Sequence, residues 1–268
     1  MRENKPLWNI TDTHAHYDSD CFDDRYSLLE SMREEGIRAV VNIGCDIESS
    51  FFSRSLAEKY DYVWYAAGIH PENEDSAQGD YISRIKSTVG ERCVAIGEIG
   101  LDYHYEGYSR EKQMLLFERQ LDLAAELDLP VVIHSRDACE DTMKLLEKHR
   151  PRGVMHCFSG SAETAAEVVK LGMYVGFTGV ITFKNAKKAK KSAAAVPMDR
   201  LVIETDCPYM APEPHRGTRN YSGNLVYTAA ALAEIKGVTY EELVKQTAEN
   251  AERLYNIKTH SEMILNEG

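Results

Sequence analysis

Across its 268 residues the chain lacks a long apolar run; nothing approaches the roughly 20 consecutive apolar residues that cross a bilayer. No apolar segment follows Met1-Arg2-Glu3-Asn4-Lys5-Pro6, so no secretory leader is expected and the cytoplasm is the expected compartment. The six cysteines (21, 45, 93, 139, 157 and 207) form no Cys-x-x-Cys pair and no dense disulfide framework. They read as reduced, mostly buried thiols. Basic residues are outnumbered too, 31 Lys and Arg against 43 Asp and Glu. A formal net charge of −12 argues against a protein that coats nucleic acid by bulk electrostatics, because phosphate binding wants a basic surface. It leaves room for a locally positive site, since divalent metals can supply that charge. Glycine is absent between Asp12 and Asp20, where an open doubly wound sheet would usually carry its phosphate loop. Internal repeats, low-complexity segments and Gly/Ser/Pro-rich linkers are likewise missing.

What is present is alternation. Strands are expected at 7–13, 37–43, 62–69, 93–97, 130–134, 153–157, 173–177 and 201–205. The runs 38–43, 130–133 and 201–203 are apolar almost throughout, as strands buried on both faces are. Helical spacing marks 23–35, 109–127, 137–149 and 162–171, with Gly36 and Gly172 as stops. Two closing helices are expected near 223–236 and 239–255, the second N-capped by Thr239. Eight strands alternating with helices read as α/β, a TIM-like (β/α)8 barrel forming a single domain, 1–268. Its core would run from about 7 to 256, with 257–268 a polar tail.

In such a barrel the C-terminal strand ends converge on one mouth. The stretch Thr11-Asp12-Thr13-His14-Ala15-His16 ends the first strand, and strand alternation puts His14 and His16 on one face. Later strand ends bring His70, Glu98, Asp102, His134, His156, Glu204 and Asp206. His215 falls in the rim loops, and His104 lies just past Asp102; His149 and His260 fall at a helix end and in the tail. Four histidines and two carboxylates suit two adjacent divalent ions, with Mg, Mn and Zn the candidate metals. A bridging carboxylate holds such ions roughly 3.5–4 Å apart, and Glu98, from a central strand, is the candidate bridge. With Glu98 and Asp206 as the anionic ligands, two ions leave about +2 at the mouth, suited to an anionic substrate such as a phosphodiester.

Six segments carry a resemblance. Asp12-Thr13-His14-Ala15-His16, Gly68-Ile69-His70-Pro71, Gly97-Glu98-Ile99-Gly100-Leu101-Asp102-Tyr103, Ile133-His134-Ser135-Arg136, His156-Cys157-Phe158-Ser159-Gly160 and Glu204-Thr205-Asp206-Cys207-Pro208-Tyr209 together resemble the TatD family of metal-dependent deoxyribonucleases. The likeness runs from about residue 10 to 256. It implies a barrel of the metal-dependent hydrolase type, with His14, His16, Glu98, His134, His156 and Asp206 as metal ligands. It also implies DNA hydrolysis, including 3′ to 5′ exonuclease action, and roles in DNA repair or degradation. One motif departs: Arg216-Gly217-Thr218-Arg219-Asn220-Tyr221-Ser222 has Ser222 where the family pattern has proline, so the stiff turn there is lost.

On this reading one ion makes a hydroxide from bound water and the other stabilises charge on a phosphate oxygen. Asp206 or Glu98 positions or deprotonates the water. His70 contacts phosphate or protonates the leaving oxygen; the alternative is a plain turn residue before Pro71. Glu204 either orients a ligand histidine, with Asp102 in a similar supporting place, or forms a barrel-interior ion pair. Arg136, Arg216 and Arg219 are candidate phosphate contacts. Lys184 leads a run with Lys187, Lys188, Lys190 and Lys191 that is either a DNA-tracking patch or a solvated helix face. Tyr103, with Tyr105, Tyr108 and Tyr209, could stack on bases or simply wall the cleft. The expected partner is DNA, single-stranded or at 3′ ends, with no membrane, and the chain is expected to be a monomer. The competing activity is hydrolysis of an amide, lactone or phosphotriester on the same scaffold, because fold and ligands do not fix the substrate.

Overall fold

Strands that are apolar at nearly every position need cover on both faces, and these receive it. In the structure, a computed structural model that describes residues 9–258, eight strands form one parallel sheet in sequence order. They are β1 (Ile10–Ala15), β2 (Ile37–Ile43), β3 (Val63–Ala67), β4 (Cys93–Asp102), β5 (Val131–Arg136), β6 (Gly153–Met155), β7 (Tyr174–Phe177) and β8 (Leu201–Ile203). The sheet closes beyond β8 itself: Ala15 bridges Cys207, Asp206 N donates to His14 O (2.9 Å) and His16 N donates to Cys207 O (2.9 Å). Nine helices lie between and after the strands: α1 (Arg25–Ser31), α2 (Ile47–Lys59), α3 (Tyr81–Thr88), α4 (Arg110–Glu126), α5 (Cys139–His149), α6 (Ala162–Lys170), α7 (Lys187–Ala195), α8 (Leu225–Lys236) and α9 (Tyr240–Tyr255) among the described residues. The result is a (β/α)8 barrel forming a single domain.

Apolar packing falls into two layers. The larger lies between strands and helices, with Phe117, Leu121, Ile133, Leu146, Val168 and Leu232 among its members. The smaller contains Val41, Ala66, Val132, Val154 and Val202, with Tyr255 and Ile257 from the end of the chain. Val132 and Val154 lie two residues before His134 and His156, so strand alternation carries this inner face up to the mouth. Tyr255, at the end of α9, is buried and its hydroxyl donates to Thr13 O (3.2 Å).

The differences from the sequence expectations have local causes. β4 runs on to Asp102 because its register on β5 jumps between Ile96 and Ile99, a bulge that spares the following pairs. Gly100 is needed in that stretch: its φ is +146°, and a Cβ there would sit 1.9 Å from His134 O. α1 stops at Ser31, short of Glu35, as Ile37 N bonds back to Met32 O and turns the chain into β2. α2 escapes the helical-spacing reading because its buried face includes Ser50 and Ser53, which interrupt the apolar stripe. Its start is nonetheless capped, Asp46 accepting from Ser49 N (2.7 Å). Ile257 is buried, so the expected polar tail does not begin at 257; its residues 259–268 with His260, and residues 7–8 of the expected first strand, lie outside the described residues.

Candidate metal centre at the mouth of the barrel

Glu98 occupies the bulge of β4, with its N–H donated to Gly44 O (2.9 Å) rather than to the β4–β5 ladder. Its carboxylate is almost wholly buried, and its two oxygens face different ways. Oε2 lies 3.4 Å from His14 Nε2 and 3.7 Å from His16 Nε2. Asp206 Oδ1 completes that group, 3.6 and 3.5 Å from the same two nitrogens. Oε1 lies 2.7 Å from His156 Nε2 and 3.0 Å from His134 Nδ1, nitrogens that are 3.4 Å apart. His70 Nε2 is 3.6 Å from the same oxygen. The six residues read from the strand ends therefore meet in one cleft, in two donor groups that share Glu98.

Two of the rings are hydrogen-bonded from behind, His16 and His134. His16 Nδ1–H donates to Ile43 O (3.0 Å), leaving the Nε2 lone pair toward Glu98 and Asp206. His134 Nε2–H donates to Asp102 Oδ2 (2.9 Å), leaving Nδ1 toward Glu98. His156 Nδ1 has Glu204 Oε1 at 3.7 Å. Glu204 is fully buried and also accepts from Cys157 N and from Thr13 Oγ1 (3.4 Å). Gly176 makes room for it, because a Cβ there would meet Glu204 Oε2 at 2.5 Å. Asp102 thus braces His134 from behind, and Glu204 stands behind His156 just beyond hydrogen-bond distance.

A further buried carboxylate was not singled out by motif reading as a brace. Asp12 Oδ1 accepts from His14 N (3.2 Å) and Thr205 N (3.0 Å), and Oδ2 accepts from Thr205 Oγ1 (2.6 Å) and Ser222 Oγ (2.7 Å). It ties β1 to the segment that carries Asp206. Its position two residues before His14 is the one signal that could have found it. Burial pushes its carboxyl up to about 6, against the pull of those hydrogen bonds. Ser222, standing where the resembled family carries proline, uses groups proline lacks: its N–H donates to the Tyr17 hydroxyl (2.9 Å) and its Oγ to Asp12. The stiffness expected to be lost there is replaced by hydrogen bonds. Cys45, at the end of β2, also lines the cleft, with Sγ 3.8 Å from His16 Nδ1.

The charge balance favours a cation. Burial pushes Glu98 up, but its histidine neighbours, His156 first, outweigh it and hold the carboxyl well below its usual range. Asp206 is likewise held down, by His16 against burial. His14 is driven down by burial and by His156. Nothing bonds to its Nδ1 or to His156 Nδ1 within hydrogen-bond reach, although both atoms are buried. Imidazole lone pairs and ionised carboxylates converging at 2.7–3.7 Å fit divalent ions of the zinc, manganese or magnesium kind. His70 differs: its Nδ1 accepts from Glu72 N (3.2 Å), so the ring proton sits on Nε2, facing Glu98 as a donor. Burial takes its pKa down to about 3, so the ring is neutral.

The expected substrate contacts fare unequally. Arg136 lines the cleft and sits over the Tyr105 ring (5.0 Å), making no ion pair with Glu98. Arg219 is turned away, its guanidinium forked onto Asp24 Oδ1 and Oδ2 (2.7 Å each) at the start of α1. Arg216 covers Phe183 (4.3 Å) instead of lining the cleft. Lys184 is exposed outside the cleft, and the lysine run forms α7, with Ala189 rather than a lysine on the cleft wall. Tyr103 is half-buried against Tyr108 and donates to Asp141 (3.0 Å). His104 pairs with Asp137 (2.8 Å), His215 packs on Tyr227, and His149 lies by Glu118 and Asp122. All six cysteines are free, Cys21 and Cys139 being exposed.

Comparison with known proteins follows the same lines. Residues 11–256 match the family described as TatD related DNase. The uncharacterized metal-dependent hydrolase YabD of Bacillus subtilis is 41% identical over 92% of this chain and 99% of that protein. The 3′-5′ ssDNA/RNA exonuclease TatD of Erwinia tasmaniensis is 32% identical over 87% of this chain and 94% of that protein. Among solved structures, the TatD homolog YJJV of Escherichia coli superposes with a TM-score of 0.89 at 29% identity, covering 94% of this chain and all of that one. The chain belongs to the TatD family and is a metal-dependent hydrolase.

Proposed function

We propose that this hydrolase cleaves phosphodiester bonds of single-stranded nucleic acid with two divalent ions. One ion would be held by His14, His16 and Asp206, the other by His134 and His156, with Glu98 shared between them. The observation that carries the reading is the division of Glu98, one oxygen toward each donor group. Its support from relatives is the ssDNA/RNA exonuclease at 32% identity. When bound, such ions lower the pKa of water toward neutrality and take up developing charge on a phosphate oxygen.

The chain's own groups then have distinct parts. Asp206, held ionised beside His16, can accept the proton of an attacking water. His70, neutral with its proton on Nε2, acts as a hydrogen-bond donor to a phosphate or leaving oxygen rather than as a cation. Arg136 is the one Lys or Arg side chain on the cleft wall among the described residues, and its guanidinium matches phosphate oxygens. The cleft, of about 770 Å³, is open enough for a strand to enter.

The test uses Glu98→Gln with metal content and activity read together. Bound Mn²⁺ should fall from two per chain to at most one, and cleavage of a single-stranded oligodeoxynucleotide should be lost. Undiminished cleavage overturns the shared-carboxylate assignment. Turnover of lactones or neutral esters, with none of DNA, overturns the substrate class.

A further inference from the structure

Two largely exposed aromatic rings stand on opposite walls of the cleft. Tyr105 follows β4 and is 55% exposed; Tyr209 follows β8 and is 59% exposed. Both line the cleft that contains Glu98. In a closed barrel ordered β1 to β8, β4 and β8 are diametrically opposed, so the ligand-type residues lie between the two rings. The other tyrosines of this rim are already engaged: Tyr103 and Tyr108 stack on each other, centroids 4.8 Å apart and nearly parallel at 9°.

Each of these two exposed rings has its own support. The Tyr105 hydroxyl accepts from Arg136 Nη1 (3.2 Å), and the guanidinium lies over the ring at 5.0 Å. For Tyr209, Asn220 Nδ2 donates to its carbonyl (2.8 Å), and its own N–H donates to Asp206 O (2.9 Å). Asn220 N and Nδ2 also bond Pro208 O and Thr205 O (3.0 Å each), and the Asn220 side chain is fully buried. The loop that brings Asp206 into the donor group therefore sets the position of the Tyr209 backbone as well. Exposed rings, Tyr209 on a hydrogen-bonded loop and Tyr105 beside a guanidinium, are platforms for flat partners next to an anion.

We propose that Tyr105 and Tyr209 are two base-stacking subsites, one on each side of the cleaved phosphate, and that they select unpaired bases. This rests on the reading of the cleft as a nucleic-acid phosphodiesterase. A base inside a duplex has both faces covered by its neighbours and even a terminal pair bares only one, so a duplex cannot offer a face to each ring across the cleft. Tyr105 with Arg136 binds one nucleotide through its base and its phosphate; Tyr209 binds the base across the donor groups.

The test compares a fluorescein-labelled single-stranded 12-mer with an oligomer of the same length and backbone that lacks bases. Affinity is measured by fluorescence anisotropy with Ca²⁺, and cleavage with Mn²⁺. The wild type should bind the base-bearing strand more tightly, and Tyr105→Ala or Tyr209→Ala should shrink that preference about tenfold each. Tyr209→Phe and Tyr209→Trp should restore it. Because both rings are exposed, folding is not at stake, and melting temperature checks this. A preference unchanged in both Ala variants overturns the proposal. Ring-dependent binding without cleavage by the wild type keeps the subsites and removes the phosphodiesterase reading. A wild type that neither prefers bases nor cleaves overturns both.

Discussion

At the scale of single residues, protonation and metal binding compete for the same nitrogens. Burial pushes His16, His134 and His156 down, but their acidic neighbours prevail. Cys45 and Asp206 raise His16, Asp102 and Glu98 raise His134, and Glu98 and Glu204 raise His156. A histidine raised on folding contributes stability that is full below its unfolded pKa of about 6.5 and is lost as pH climbs through the folded value. The metal-stripped protein should therefore melt at progressively lower temperature from pH 6.5 upward. Added Mn²⁺, which needs those rings neutral, should give a thermal increment that grows over the same interval. Scanning calorimetry with EDTA and with Mn²⁺ at pH 6.5 and 8 checks this; equal increments at both would contradict it. Gly176→Ala is expected to weaken metal binding by displacing Glu204 from behind His156, read by equilibrium dialysis; unchanged affinity would show that Glu204 does not orient that ring.

Elements place these residues through close backbone approaches and loop anchors. The β4 bulge ends in Gly100, whose missing Cβ lets the strand pass His134 O, from which a Cβ would be only 1.9 Å away. Gly100→Ala should cost about 3 kcal/mol, seen as a shifted urea midpoint, with metal affinity falling alongside. The loop after β8 is held in two ways. Asn220 grips it from within, and the Arg219–Asp24 fork fastens it to α1. The fork is solvent-exposed, so Asp24→Ala should cost under about 1 kcal/mol and leave metal content as it was. A larger loss would mean that α1 and the loop are more tightly coupled than an exposed pair allows. This element also shows where sequence reading stops. Arg219 looked like a phosphate contact because arginine suits phosphate, yet the nearest available anion is a carboxylate 195 positions away in sequence. Spacing cannot reveal that.

For the whole molecule, the decisive contrast is an acidic surface around a mouth built for cations. The net charge of −12 repels a polyanion, and Arg136 is the one Lys or Arg side chain on the described cleft wall. The lysines of α7 border that wall and would offset the repulsion if a strand tracks across them. Replacing Lys187, Lys188, Lys190 and Lys191 with glutamine should raise KM for an oligonucleotide and flatten its salt dependence. No change in either would leave these lysines as a solvated helix face.

Much of this architecture was legible from residues alone, because periodicity reports burial directly. Unbroken apolar runs marked strands covered on both faces, and strand alternation placed His14 with His16 and aligned His134 and His156 with Val132 and Val154. What sequence could not carry was anything set by closure of the barrel. Asp12 reaches Thr205 and Ser222, some two hundred residues away, only because β1 meets the segment after β8. Glu98 turns one oxygen to each donor group only because a bulge lifts it out of the ladder. Side-chain chemistry and face are local properties and survive in one dimension. Which carboxylate braces which ring, and which arginine is left for a substrate, depends on distances that exist only once the eighth strand has come round to the first.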